Sequence, residues 1–251
     1  MSLLSSILYP APRLHESRLK NRFNGRWVVV TGASHGIGEA LVRRLMHCGA
    51  NLYLLARSEP ELQELCREAR AMGCRASYRC VDLRDRLALN SVCSDLAKTL
   101  PSVEFLFCNA GKSICRRLVD AADRLHDFDR TMDLNYRSMV ALSLALLPAL
   151  RRTGGQLVYT SSVSSLYPPA PKWSAYHASK CASNVWCRTA ACEWHSLGIG
   201  VHVAYLPLVR TPMSQVNPNY HALPAYSAHD AAGILLRLAL SKRFAYKPWW
   251  A

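Results

Sequence analysis

Acidic side chains are scarce in this 251-residue chain: 17 Asp and Glu stand against 31 Lys and Arg, a formal net charge of +14. Long apolar runs are missing too. The best candidate, residues 138–150 (SMVALSLALLPAL), falls short of the roughly 20 residues that a bilayer span requires. No internal repeat, low-complexity segment or C-x-x-C pair is present, and the start of the chain lacks the pattern of a secretory signal. No zinc-finger spacing, RNP aromatic motif or helix-turn-helix signature appears either, so neither a metal centre nor a nucleic-acid partner is expected. The ten cysteines then read as free, mostly buried thiols of a cytoplasmic protein. What remains is ordinary globular composition, 50% hydrophobic and 19% charged.

The basic excess is uneven. Residues 1–26 form a basic N-terminal extension, with Arg13, Arg18, Lys20, Arg22 and Arg26 against Glu16 alone. Residues 242–251 add Lys242, Arg243 and Lys247 with no acid. The rest is spread over the body, where it either aids solubility or favours anionic partners such as phosphorylated cofactors, coenzyme A or acidic lipid.

Strand and helix signals alternate along the body. Trp27–Thr31 (WVVVT) is a short β-branched run that ends in glycines, and it predicts a buried strand. Apolar residues at Ile37, Ala40, Leu41, Leu45 and Met46 follow at helical spacing up to Gly49. Further strands are expected at 51–56, 77–82, 103–108, 156–160 and 199–206. Helices are expected at 60–72, 128–150 and 175–197. This order predicts an α/β fold: one Rossmann-type, doubly wound parallel sheet flanked by helices, with ligands bound beyond the carboxyl ends of its strands.

Every chemically suggestive motif falls at such an end. Gly32, Gly36 and Gly38 lie in Thr31-Gly32-Ala33-Ser34-His35-Gly36-Ile37-Gly38, where a backbone that turns tightly and opens a helix can approach a pyrophosphate. The second strand ends in Ala56-Arg57-Ser58. An acid there would favour the free ribose of NAD, whereas the Arg57 guanidinium suits the 2′-phosphate of NADP(H). Ser34 and His35 offer further polar contacts. Asp82-Leu83 closes the third strand, with a carboxylate able to accept from an adenine amino group. Asn109-Ala110-Gly111 closes the fourth with small residues that let a cofactor pass. Tyr176 and Lys180, at i and i+4, share a helix face. A phenol with a pKa of about 10 is a poor acid–base catalyst until a neighbouring ammonium lowers it.

Together these motifs resemble the short-chain dehydrogenase/reductase family from Trp27 to about Lys242. The resemblance implies that Tyr176 exchanges a proton with the substrate oxygen and that Lys180 holds the nicotinamide ribose and depresses the tyrosine pKa. It implies that Ser162 hydrogen-bonds the substrate oxygen and that Asn135 holds a water of the proton relay. Thirteen residues separate Ser162 from Tyr176, one more than is usual, and the extra one is assigned to the loop Tyr167-Pro168-Pro169-Ala170-Pro171. Ser161 and Ser164 remain alternatives to Ser162. Cys108 stands where the family usually has an asparagine.

A narrower resemblance lies in Leu125–Met132, Leu134-Asn135-Tyr136 and Pro207-Leu208-Val209-Arg210-Thr211-Pro212-Met213. These segments are similar to those of bacterial short-chain fatty-acyl-CoA reductases, which reduce acyl thioesters to aldehydes with NADPH. Pro207, Val209 and Thr211 are then expected beside the cofactor, and residues 212–226 in a substrate lid. The implied domain organisation is the extension 1–26 followed by a single NADP-binding domain, 27–251. Leu166, Tyr167, Trp173, Met213 and Tyr220 are candidates for a lipophilic pocket. The leading function is an NADP(H)-dependent oxidoreductase acting on a carbonyl of a lipophilic substrate, with a fatty acyl-CoA thioester the sharpest candidate. The alternatives are an alcohol or ketone oxidoreductase and, last, a non-catalytic NADP sensor. The apolar tails (Leu3, Leu4, Ile7, Leu8 and Tyr9, with Tyr246, Trp249 and Trp250) suit a second subunit or peripheral contact with a membrane. Family resemblance implies a homodimer or homotetramer.

Overall fold

The β-branched run Trp27–Thr31 forms β1, buried at four of its five positions. It is central to a seven-stranded sheet in the computed structural model, which describes residues 7–100, 102–167 and 171–251. The other strands are β2 (Asn51–Ala56), β3 (Ala76–Cys80), β4 (Phe105–Cys108), β5 (Gln156–Ser162), β6 (Gly200–Leu206) and β7 (Ala245–Tyr246). Their order is β3-β2-β1-β4-β5-β6-β7, and every pairing is parallel. The chain builds outward from β1 to β3, then returns to place β4 on the other side of β1, with Val28 beside Phe105 and Val30 beside Phe107. That reversal opens a crevice beyond the carboxyl ends of β1 and β4, the place where open α/β sheets bind ligands.

Helices cover both faces. Along β1 the side chains alternate, so Val28 and Val30 join one core layer and Val29 the other. The first layer takes its helical partners from α1 (Glu16–Phe23), α2 (Gly36–His47), α3 (Glu59–Ala71) and a helix at Ala228–Ala239. The second takes them from α4 (Arg86–Thr99), the segments between Leu125 and Thr153, and the long helix Ser174–His195. α1 was not anticipated. Its polar, basic sequence hides Leu19 and Phe23, both fully buried, and the Phe23 ring lies 4.5 Å from that of Phe105. Burying such a side chain contributes about 1.5–3 kcal/mol, which is enough to seat one short helix.

The single helix expected over 128–150 is instead four pieces: α5 (Leu125–Met132), one π-helical turn (Asp133–Arg137), α6 (Ser138–Ala145) and α7 (Leu147–Thr153). Pro148 lacks an N–H and sits in the first turn of α7, which explains the last break. The expected helix 175–197 is α8 (Ser174–His195). Beyond β6 come the short α9 (Pro212–Gln215) and then α10 (Ala228–Ala239). The Ser227 hydroxyl caps α10 by accepting from the Asp230 N–H. No helix among the described residues is long and apolar enough to cross a membrane.

The apolar tails fold back on their own chain. The Trp249 and Trp250 indoles donate to the carbonyls of Ile7 and Leu8 at 2.9 Å each, and Tyr9 packs edge-on against Tyr226. Tyr246 shares a 3.1 Å hydrogen bond with Tyr226. Leu3, Leu4, Pro168, Pro169 and Ala170 lie outside the described residues.

Candidate active site

Thr31, the last residue of β1, ties the crevice together. Its hydroxyl accepts from the N–H groups of Asn109 (3.0 Å) and Ala110 (2.9 Å) and donates to the Phe107 carbonyl (3.4 Å). One donor and two acceptor sites are thus all used. From sequence Thr31 is only the end of a strand and the start of the glycine loop, because its bridging task appears only when β1 and β4 meet.

The glycine loop follows directly. Gly32 has φ +65°, and a Cβ there would fall 2.9 Å from the Ala110 Cα. A Cβ at Gly38 would lie 1.9 Å from the Gly32 carbonyl oxygen. Only glycine fits either place. α2 begins at Gly36, and its N-terminal residue His35 makes no side-chain cap. Free N–H groups at the end of a twelve-residue helix, walled by glycines, suit a pyrophosphate. The residues present therefore fit a dinucleotide. Ser34 and His35 are hydrogen-bonded to each other at 2.9 Å, and the other ring nitrogen of His35 lies 3.6 Å from Glu61. Ile37 packs at the edge of the core.

Arg57 is exposed just past β2, and its guanidinium has no hydrogen bond or ion pair with any described residue. Asp82 lies beyond β3 rather than inside it. Arg84 holds its carboxylate through Nε at 3.0 Å to each oxygen and keeps it below the ordinary carboxylate range. Leu83 is buried in the second core layer. Asn109 donates to the Gly32 carbonyl (3.4 Å) and accepts from the Thr160 hydroxyl (3.3 Å). Pro207 and Val209 are buried past β6, and Thr211 caps α9 by accepting from the Ser214 N–H. The Thr211 side chain is also what a Cβ on Gly36 would strike, at 3.1 Å, so this segment closes down on the glycine loop.

Asn135, Gly111 and Lys180 converge on one wall. Asn135 lies in the π-helical turn, fully buried. Its amide accepts from the Lys112 N–H (2.8 Å) and donates to the Lys112 carbonyl and the Ser179 hydroxyl (2.9 Å each). A Cβ on Gly111 would come within 3.4 Å of the Asn135 oxygen and 3.7 Å of Lys180 Nζ. Lys180 is 4% exposed and donates to the Thr160 carbonyl at 2.7 Å, with its Nζ 4.8 Å from the centre of the Tyr159 ring. Burial pushes this amine down to about 7. Burial also lifts the neighbouring Cys108 thiol to about 12, so Cys108 acts as a small apolar residue.

Tyr176 stands one turn before Lys180, its ring 5.8 Å from Nζ. Burial raises its phenol above the ordinary value, while a hydrogen bond with Ser162 acts in the lowering direction. The expected depression by the ammonium is not found, because desolvation outweighs every favourable contact. The serine that meets Tyr176 is Ser162. Ser161 is turned inward, 2.7 Å from Asn184, and Ser164 donates to the Ser162 hydroxyl at 3.0 Å. On the outer side Trp173 meets Tyr176 edge-on, and Tyr220, from the segment after α9, stacks on Trp173 at 6.1 Å and 16°. Leu166 packs on the second core layer, whereas Met213 and Tyr167 are largely exposed.

A glycine cradle at the switch point, with serine, tyrosine and lysine on one wall, is an arrangement built for dinucleotide chemistry. Residues 26–222 match the family model described as short chain dehydrogenase. The chain belongs to the short-chain dehydrogenase family. It is thus an oxidoreductase by family. It is 36% identical over 229 residues to a fatty acyl-CoA reductase of Acinetobacter baylyi, spanning 91% of this chain and 77% of that one. It is 33% identical over 219 residues to a fatty acyl-CoA reductase of Mycobacterium tuberculosis, spanning 87% and 74%. A crystal structure from Beutenbergia cavernae, provisionally assigned as an NAD(P)-dependent gluconate 5-dehydrogenase with NADP at low occupancy, matches with a TM-score of 0.78. That protein is 26% identical, and the match covers 87% of this chain and 90% of that one.

Proposed function

We propose that this short-chain dehydrogenase is an NADPH-dependent reductase of a lipophilic acyl thioester, converting a fatty acyl-CoA to the aldehyde and free coenzyme A. The observation that carries the reading is the Ser162–Tyr176–Lys180 wall at the switch-point crevice, behind the stacked pair Trp173 and Tyr220. Two relatives named fatty acyl-CoA reductases support the substrate class.

NADPH, when bound, supplies the hydride. The loop from Gly32 to Gly38 and the start of α2 would hold its pyrophosphate, and Arg57 its 2′-phosphate, through charge-assisted hydrogen bonds. Asp82 and Leu83 would face its adenine, and Asn109, Ala110, Gly111, Pro207, Val209 and Thr211 would border its nicotinamide half. The Ser162 and Tyr176 hydroxyls bind the substrate carbonyl oxygen, and Tyr176 gives that oxygen its proton as the carbonyl carbon is reduced. The resulting hemithioacetal then returns the proton to the Tyr176 phenolate as the carbonyl re-forms and its C–S bond breaks. The coenzyme A thiolate leaves and takes a proton from water. Lys180 fixes the nicotinamide ribose and restores the ammonium that favours phenolate once an anionic cofactor is near. Asn135 orders the wall from behind through Lys112 and Ser179. Residues 212–226 cover the acyl chain, and the exposed Met213, Val216 and Leu223 supply apolar surface. Leu144 and Val185, exposed on α6 and α8, support a homodimer or homotetramer through these helices.

NADPH oxidation measured across acyl-CoAs, aldehydes and small ketones tests the reading. The specificity constant should rise by up to about tenfold for each two added carbons until the pocket is full. Activity on small ketones with none on any thioester would leave the alcohol or ketone oxidoreductase standing instead. Arg57→Ala should weaken NADPH about ten- to a hundredfold and spare NADH. Equal loss for both cofactors would refute the NADP assignment.

A further inference from the structure

Three arginines converge on one carboxylate at the mouth of the site. Asp127, in the first turn of α5, is 2% exposed. Arg116 Nε donates to it at 2.8 Å, Arg130 hydrogen-bonds its other oxygen, and Arg124 Nε stands 3.7 Å away. Each guanidinium side chain is itself about one-third exposed. Three guanidinium groups carry about fifteen N–H donors against about four acceptor sites on the carboxylate. The surplus is visible, since the Nε groups of Arg124 and Arg130 are buried without an acceptor. Other acids do not relieve it. Asp120 is taken by Arg117, and the exposed Asp123 and Asp129 form no ion pair with the cluster. One carboxylate therefore leaves two positive charges unbalanced on a half-buried surface.

The cluster is wired to the site. The Arg116 N–H donates to the carbonyl of Lys172, the residue before Trp173. Asp127 lies eight residues before Asn135 on nearly continuous helix, about 12 Å along the axis. Between them sits Lys112, whose backbone is held on both sides by Asn135. Burial lowers its amine, and the charges of Arg130, Arg84 and Arg57 push in the same direction against the pull of Asp127.

We propose that Arg116, Arg124 and Arg130, gathered around Asp127, form an anion site that receives the phosphates of the substrate's coenzyme A carrier. The site rests on the thioester reading above and deepens it: the acyl chain enters beneath Trp173 and Tyr220 while the nucleotide end stays outside on the arginines. The carboxylate holds the guanidinium groups in place, and the phosphates supply the acceptors that they lack.

The test is the double variant Arg124→Gln/Arg130→Gln. Arg124→Gln alone serves as a milder companion, because the Arg124 side chain makes no hydrogen bond to Asp127. Titration of free coenzyme A onto NADP-saturated protein should show Kd rising about tenfold in the double variant. NADPH affinity should stay unchanged. In turnover, KM should rise for acyl-CoA but not for the N-acetylcysteamine thioester of the same acyl chain, which carries no phosphate. Unchanged coenzyme A affinity, or equal loss of NADPH, overturns the proposal. If the wild type reduces no thioester yet binds coenzyme A through these arginines, the proposed function fails and the anion site stands. If it reduces both thioesters and the variants leave their ratio unaltered, the anion site fails and the function stands.

Discussion

An amine that sheds its proton near 7 is expensive to keep inside a protein, and Lys180 is such an amine. In the unfolded chain it remains charged up to its ordinary value of 10.5. Below pH 7 both states are charged, so the fold bears the full cost of burying the charge. Between 7 and 10.5 that cost declines, and above 10.5 it is gone. Lys180→Met should therefore stabilise the protein by a few kcal/mol at pH 6 and much less at pH 10, as read from urea unfolding. An equal gain at both values would mean that the lysine is not desolvated. Tyr176 sets the complementary test. Tyr176→Phe removes the proton donor and keeps the ring against Trp173, so turnover should fall about a hundredfold or more while NADPH affinity holds. Stopped-flow turnover beside a fluorescence titration of NADPH separates the two effects. Tyr176 and Lys180 were legible in the sequence because their spacing is a chemical requirement. The downward shift of Lys180 was not, because it comes from burial, which strands and helices distant in sequence impose together.

At the level of elements, the glycine loop and the Asn109-Ala110-Gly111 turn were readable because each must let a backbone come close. Their mutual fixation was not, since it depends on one hydroxyl. Thr31→Val keeps the shape of β1 but leaves the N–H groups of Asn109 and Ala110 without their acceptor. The change should lower stability by about 1–3 kcal/mol and weaken NADPH, whereas Thr31→Ser should restore both. Denaturant midpoints and cofactor titration on the two variants decide this. The helical region shows the opposite limit. Apolar periodicity runs from Phe128 to Leu150 without interruption, so nothing announced a π-helical turn at Asp133–Arg137. That turn brings Asn135 against Lys112 and Ser179. The arginine cluster was equally hidden, since Arg116 and Asp127 belong to different segments whose meeting is a tertiary event. α1 escaped notice because two buried residues among polar ones leave little periodic signal.

Across the whole molecule, the most distant neighbours in the sheet are the two strands that frame the crevice. β2 pairs with β1 across about two dozen residues, whereas the Trp27 N–H donates to the carboxylate of Glu104, 77 residues away at the foot of β4. Closing the longer loop costs about 1 kcal/mol more in chain entropy. A chain that pairs β1, β2 and β3 early still has only half of a binding cleft. The cleft is therefore a late product of folding, complete only when β4 docks. A ligand that needs both halves has nothing to grip in the rate-limiting ensemble. Saturating NADPH should accordingly slow unfolding and leave the refolding rate nearly unchanged, giving a chevron in which only the unfolding limb moves. A cofactor that sped refolding equally would place β4 beside β1 before the barrier, and the crevice would then be a nucleus and not a finishing step.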